Sequence, residues 1–314
     1  MQLKIPSVEF YTHRDFHSDA WQSAAAKICL RHKIAFSELR RAGQGENIIF
    51  FVDERFVIKI FVEARNNFTR EKASLEFAHG KTSLQTPRIL FVGEIEGFPY
   101  LVITQLAGVL MREIWGDLED SEKLPAVEKL AVAARELHSY SVPADFGFKR
   151  DWGEFVRRQS IETLERQRRG GVNAQVLAAL PEFIEANLKL LPQTIEPVLL
   201  HGDIHLGNVL MQERNGRWEA KGLFDFGDSF PGFYEHEFVA PGVLVIQGKR
   251  ELQRAHFLAY GYNETDLDLD FRARLMLLTI LYECSNLRRY AERLRPEAVN
   301  YTLEELEQAI WAFY

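Results

Sequence analysis

The chain has 314 residues, 46% hydrophobic and 26% charged, with 38 Lys and Arg against 45 Asp and Glu for a formal net charge of −7. That mildly acidic balance argues against a nucleic-acid partner, which calls for a basic face, and the two isolated cysteines, Cys29 and Cys284, make neither a disulfide framework nor a zinc motif. No run of about 18 apolar residues marks a membrane span, and MQLKIPSVEFYTHRDFH has no signal-peptide core, so a cytoplasmic protein is expected, monomer or homodimer, built as one large domain or two lobes.

In chain order, Ser18-Asp19 precede Ala20–Leu30 and read as a capped helix. Segments 36–41, 47–52 and 55–62 read as three strands, the last two joined by a hairpin at Asp53-Glu54. Helical spacing returns over 66–79. Two more strands, 89–92 and 100–103, flank the turn Glu96-Gly97-Phe98-Pro99. Beyond Gly108 helices are expected at 122–139, 151–169, 174–190, 249–260, 267–294 and 302–313. They are interrupted by short apolar strands at 198–200, 209–211 and 222–224, too short for helices. The layout is α+β and bilobal: a β-rich N-terminal part over 1–106 and a helical part over 107–314. The cleft between two lobes is a usual ligand site.

Two motifs sit among those short strands. His201-Gly202-Asp203-Ile204-His205-Leu206-Gly207-Asn208 is a polar loop, and Asp225-Phe226-Gly227 follows a strand. Asp203, Asn208 and Asp225 are oxygen donors suited to a hard cation such as Mg²⁺. His201 and His205 are four apart on a loop, which does not suggest zinc. Phosphoryl transfer needs a carboxylate to orient a hydroxyl, Mg²⁺ to offset phosphate charge, and a lysine to hold the phosphates. The spacing of His, Asp and Asn, followed by D-F-G, matches the protein-kinase pattern. The lysine is expected in Phe56-Val57-Ile58-Lys59-Ile60-Phe61, where an ammonium amid apolar neighbours needs an anionic partner. Glu71 on the next helix is the preferred partner, with Glu76 the fallback. Gly43-Gln44-Gly45 would let backbone N–H groups approach phosphates, and Thr104-Gln105-Leu106 would face the adenine edge.

With these residues in view, the sequence resembles the aminoglycoside phosphotransferase and choline kinase-like branch of the protein-kinase-like superfamily, from about residue 36 to 290. The resemblance is strongest at HGDIHLGNVL and GLFDFGD, and Arg135-Glu136-Leu137-His138-Ser139 is similar to the family's helix ending in Leu-His. It implies a kinase fold with ATP and Mg²⁺ in the cleft. Asp203 is then the catalytic base, Asn208 and Asp225 hold Mg²⁺, and Lys59 contacts the phosphates with Glu71 behind it. Gly202 replaces the arginine of protein kinases, no long activation segment ends in A-P-E, and Glu237 stands where the family often has a later Asp.

The expected acceptor is a hydroxyl of a small molecule: an aminoglycoside-like antibiotic, an amino alcohol or a sugar. Asp228, Glu235, Glu237 and Glu283, with Tyr234, Tyr282 and Trp152, are candidates for its wall, because carboxylates and aromatic faces suit a cation. The alternatives are an atypical bacterial Ser/Thr protein kinase and a non-catalytic nucleotide-binding module. The first is disfavoured by the short segment after Gly227, the second by the presence of all four motif residues.

Overall fold

The computed structural model describes residues 19–43, 46–62 and 67–314. Its N-terminal part is a five-stranded antiparallel sheet in the order β1-β2-β3-β5-β4, formed by β1 (Leu39–Arg41), β2 (Ile48–Val52), β3 (Phe56–Ile60), β4 (Ile89–Ile95) and β5 (Phe98–Thr104). Helix α1 (Asp19–Arg31) covers one face. Trp21, Ala25 and Ile28 pack there against Phe50, Ile58, Ile60 and Val102. The other face meets α2 (Asn67–Ala78), whose Leu75 and Phe77 share a core with Phe61, Leu101 and Ile103. Side chains alternate across a strand. Ile58 and Ile60 therefore face α1, and Lys59 faces α2.

The first strand is shorter than the expected 36–41. Asp53 turns at φ 50° in the β2–β3 hairpin, and its carboxylate accepts the Ser37 and Glu38 amides at 2.9 and 2.7 Å. Those donors are thereby withdrawn from the ladder. Strands β4 and β5 run longer than 89–92 and 100–103, because the Glu96-Gly97 turn, with both φ positive, lets pairing continue to Ile95 and Phe98.

The helical part contains α3 (Asp120–His138), α4 (Trp152–Arg169), α5 (Ala174–Asn187), α6 (Arg250–Tyr260), α7 (Leu269–Leu281), α8 (Leu287–Leu294) and α9 (Leu303–Ile310). Helix α7 is the core of this part: Leu275, Met276, Leu277, Leu278, Ile280 and Leu281 are all buried. Small sheets interrupt the helices. Strand β6 (Val109–Leu110) pairs with β8 (Val209–Arg214), β8 with β9 (Arg217–Leu223), and β7 (Val198–Leu200) with β10 (Phe230–Gly232). Asn215-Gly216, at φ 54° and 73°, closes the β8–β9 hairpin, a turn signal that extends both strands beyond 209–211 and 222–224.

The expected helix 267–294 is two helices. The chain leaves helical geometry at Tyr282, and the side chain of Asn286 accepts the Arg289 amide to start α8. Apolar spacing continues through the break, so periodicity alone could not show it. No helix among the described residues is long and apolar enough to cross a membrane.

Candidate active site

Lys59 is 5% exposed, and its ammonium lies between two carboxylates, 2.6 Å from Glu71 and 2.8 Å from Asp225. The three groups come from β3, α2 and the turn two residues past β9. Glu71 meets the lysine, whereas Glu76 is exposed and pairs with Lys72 on its own helix. Burial disfavours the ammonium, but the two carboxylates outweigh it and hold the Lys59 pKa above its ordinary value. Burial pushes Glu71 up to about 7, with Lys59 offsetting only part of the effect. Burial would also raise Asp225, yet Lys59 outweighs it and the net shift is downward. Asp225 itself sits at φ 65°, ψ 69°, a strained conformation for a residue with a side chain.

The loop after β7 is braced from every side. The fully buried ring of His201 accepts the Asp203 amide at Nδ1 and donates from Nε2 to the Phe224 carbonyl at 3.0 Å, tying the loop to the residue before Asp225. Glu237 accepts the amides of His201 at 2.6 Å and Gly202 at 3.0 Å. Tyr282 donates to the Gly202 carbonyl, and Ser229 to that of His201. Gly202 lies at φ +78°, and a Cβ there would stand 2.8 Å from the Asp228 carbonyl oxygen, so no arginine fits in place of this glycine. The Asp203 carboxylate accepts from Asn208 Nδ2 at 3.1 Å and stands 3.4 Å from His205 Nε2.

The structure thus joins Lys59, Glu71 and Asp225 in one trio and ties the loop carrying Asp203 and Asn208 to the residue before Asp225. The sequence model described as the phosphotransferase enzyme family matches residues 38–270. The chain belongs to that family. The fold is that of the solved aminoglycoside phosphotransferases. The GDP complex of aminoglycoside 2′-phosphotransferase-IIIa superposes with a TM-score of 0.69 at 17% identity, over 93% of this chain and 98% of that one. The streptomycin–ATP–APH(2″)-IIa ternary complex gives 0.58 at 18%, over 90% and 98%. Aminoglycoside phosphotransferase APH(4)-Ia gives 0.59 at 17%, over 92% and 99%. No curated protein matches.

In this member of the phosphotransferase enzyme family, the remaining predicted residues fall into distinct places. The Thr104 and Gln105 amides are spent on the carbonyls of Arg88 and Arg55, so those two donors are withdrawn from any base edge. Leu106 packs beside Gly222, and Gln105 keeps a buried Oε1 without a partner. Gly43 has open space around its Cα, and Gly45 lies outside the described residues. No group of three or more His, Cys, Asp or Glu side chains among the described residues forms a metal cluster.

The acidic wall is dispersed. Glu237 is 2% exposed and taken up by the loop amides, with His138 Nε2 3.6 Å away, so it braces the loop instead of facing a ligand. Glu235, equally buried, is held by Arg274 at 2.5 and 3.0 Å and by the Tyr262 hydroxyl. It lines a hollow of about 720 Å³ with His138, Tyr234, Tyr260 and Arg274, which contains none of Lys59, Asp203, Asn208 or Asp225. Trp152 is buried and donates to the Pro192 carbonyl. Only Asp228, Glu283 and Tyr282 share a hollow with Asp203, one of about 230 Å³. Glu283 is there because α7 breaks at Tyr282, and it arrives already bonded to Arg150 and Arg158. Sequence reasoning had no signal for the bracing roles of His201 and Tyr282. The Leu137-His138 motif was visible without its purpose.

Proposed function

We propose that the protein is an ATP- and Mg²⁺-dependent phosphotransferase acting on a hydroxyl of a small molecule. The observation that carries this reading is Lys59 held between Glu71 and Asp225: a buried ammonium, fixed by two carboxylates from distant segments, beside a loop that presents Asp203. Solved relatives hold ATP, ADP or GDP, and the trio joins the N-terminal sheet and its helix α2 to Asp225 in the later part of the chain.

The residues fit these groups. Asn208 commits Nδ2 to Asp203, leaving its amide oxygen. Asp225 commits Oδ1 to Lys59 while its side chain remains 46% exposed. Two oxygen donors of this kind suit Mg²⁺. The orphaned Gln105 Oε1 and the Leu106 amide, which meets no backbone carbonyl among the described residues, suit a purine edge, and Gly43 with Gly45 suits the phosphates. Mg·ATP, when bound, supplies the transferable phosphoryl group and the charge that offsets it. Asp203 orients the acceptor hydroxyl and accepts its proton. Lys59 holds phosphate oxygens in place of part of its contact with Asp225, and Glu71 keeps the ammonium in position. Asp228 and Glu283 border the acceptor's hollow. Against a protein kinase, the chain after Gly227 runs directly into β10 and buried turns over 233–246, with no long exposed segment.

The test is nucleotide binding and ADP release with and without Mg²⁺, in wild type and Lys59→Ala. Mg²⁺-dependent binding weakened at least about tenfold in the variant is expected. Wild type that ignores ATP and GTP alike at millimolar concentration would sink the reading.

A further inference from the structure

The hollow beside Asp203 carries a charge pattern that narrows the acceptor, an inference that rests on the phosphotransferase reading above. Arg289 and Arg293 stand four residues apart on α8, hence on one helix face, and both line this hollow. Both are exposed, and the side chain of neither meets a carboxylate among the described residues. Arg70 enters from α2, resting over the Phe148 ring at 4.2 Å and 3.9 Å from Asp228.

Asp203, Asp228 and Glu283 line the hollow against Arg70, Arg289 and Arg293, and with Arg150 and Arg158 behind Glu283 the guanidiniums number five to three carboxylates. Asp203 is assigned to the acceptor's proton. Glu283, the carboxylate expected to attract an amine, accepts from Arg150 and Arg158 at 2.8 Å each. One carboxylate between two guanidiniums is over-neutralised, so a cationic group approaching it meets net positive charge. The hollow, about 230 Å³, is also smaller than the roughly 300–1,000 Å³ of pockets for drug-sized ligands. A polycationic antibiotic of several rings therefore meets little counter-charge here and would extend beyond this hollow. Arginine pairs are well suited to planar or tetrahedral oxyanions.

We infer that the acceptor is a small anionic alcohol, a compact skeleton bearing one reactive hydroxyl and one carboxylate or phosphate group. Arg289 and Arg293 hold the anion and the hydroxyl faces Asp203. In the transfer, the hydroxyl proton passes to Asp203, the hydroxyl oxygen forms a bond to the γ-phosphorus, and the bond from that phosphorus to the β–γ bridging oxygen breaks, leaving ADP.

The test uses four three-carbon alcohols that differ in charge: glycerol 3-phosphate, glycerate, glycerol and 3-amino-1,2-propanediol. Turnover is followed by ADP release. Binding is followed by calorimetry on the full chain with Mg²⁺ and a non-hydrolysable ATP analogue. The anionic members are expected to bind and react better than glycerol, and the amine worst, with the phosphate and carboxylate arms telling the two oxyanions apart. In the double variant Arg289→Glu, Arg293→Glu, KM for the preferred anion should rise about tenfold or more with kcat changed far less, while affinity for the ATP analogue holds. Equal or better use of the amine, no binding of either anion at millimolar concentration, or an unchanged KM in the double variant overturns the inference. Any of these alongside intact nucleotide binding leaves the phosphotransferase reading standing. Loss of nucleotide binding in wild type removes both.

Discussion

Glu237→Ala separates a loop brace from a substrate contact. The carboxylate is 2% exposed and satisfies two backbone donors, His201 N–H and Gly202 N–H, at 2.6 and 3.0 Å. Burial raises its pKa, but His138, His201 and the Gly202 amide outweigh that and bring it below the ordinary value, so it is ionised near neutrality. Alanine leaves both donors buried and unpaired. At about 1–3 kcal/mol for each such group, the loss is about 4 kcal/mol, reduced if water enters the gap. Asp203 is the next residue along, and displacing it by about 1 Å costs on the order of 100-fold in rate. Glu237→Gln keeps one acceptor oxygen but turns an N–H₂ toward an amide donor, and should lie between wild type and alanine. Urea denaturation gives the stability and steady-state kinetics gives kcat and KM. The expected result is a large fall in denaturation midpoint with kcat reduced more than KM is raised. Wild-type stability with only KM altered would show that Glu237 faces the ligand and that the bracing account is mistaken.

Asp203→Asn removes the proton acceptor while preserving size; turnover should fall about 10³-fold or more with an unchanged denaturation midpoint, and full turnover would refute its role. Lys59→Met leaves Glu71 buried without its cation, at a cost of about 3–5 kcal/mol; adding Glu71→Gln should recover part of that loss in a double-mutant cycle. Gly202→Ala forces a Cβ to within 2.8 Å of the Asp228 carbonyl oxygen at φ +78°, and a drop of about 1–3 kcal/mol in unfolding free energy is expected. Burial lowers His236 to about 3 and His256 to about 4 from 6.5. Because folding lowers these values, the unfolded chain binds more protons below pH 6.5, and stability is lost as pH falls from there toward 4. Each histidine should remove about 2 kcal/mol between pH 6.5 and 5. Melting curves of wild type and His236→Phe should diverge at pH 7 far less than at pH 5 in relative terms, the variant showing the shallower decline.

The sequence by itself singled out the candidate set, and the structure brings Lys59, Glu71 and Asp225 of it together. Lys59 is readable because an ammonium between Ile58 and Ile60 must find an anion, and Asp203, Asn208 and Asp225 because their spacing matches a pattern suited to phosphoryl transfer. The strand and helix order follows from side-chain periodicity, a local property. Tertiary structure decided which carboxylates are available. Glu235, Glu237 and Glu283 look alike in the chain, yet Arg274 claims the first, two loop amides the second and two arginines the third. Their partners lie up to 133 positions away in sequence. No local pattern records where α7 must break to set Tyr282 under Gly202 or to bring Arg289 and Arg293 into the hollow that Asp203 lines. Those choices follow from which surfaces α4, α7 and the loop bury against one another, and they set the charge around the hollow beside Asp203.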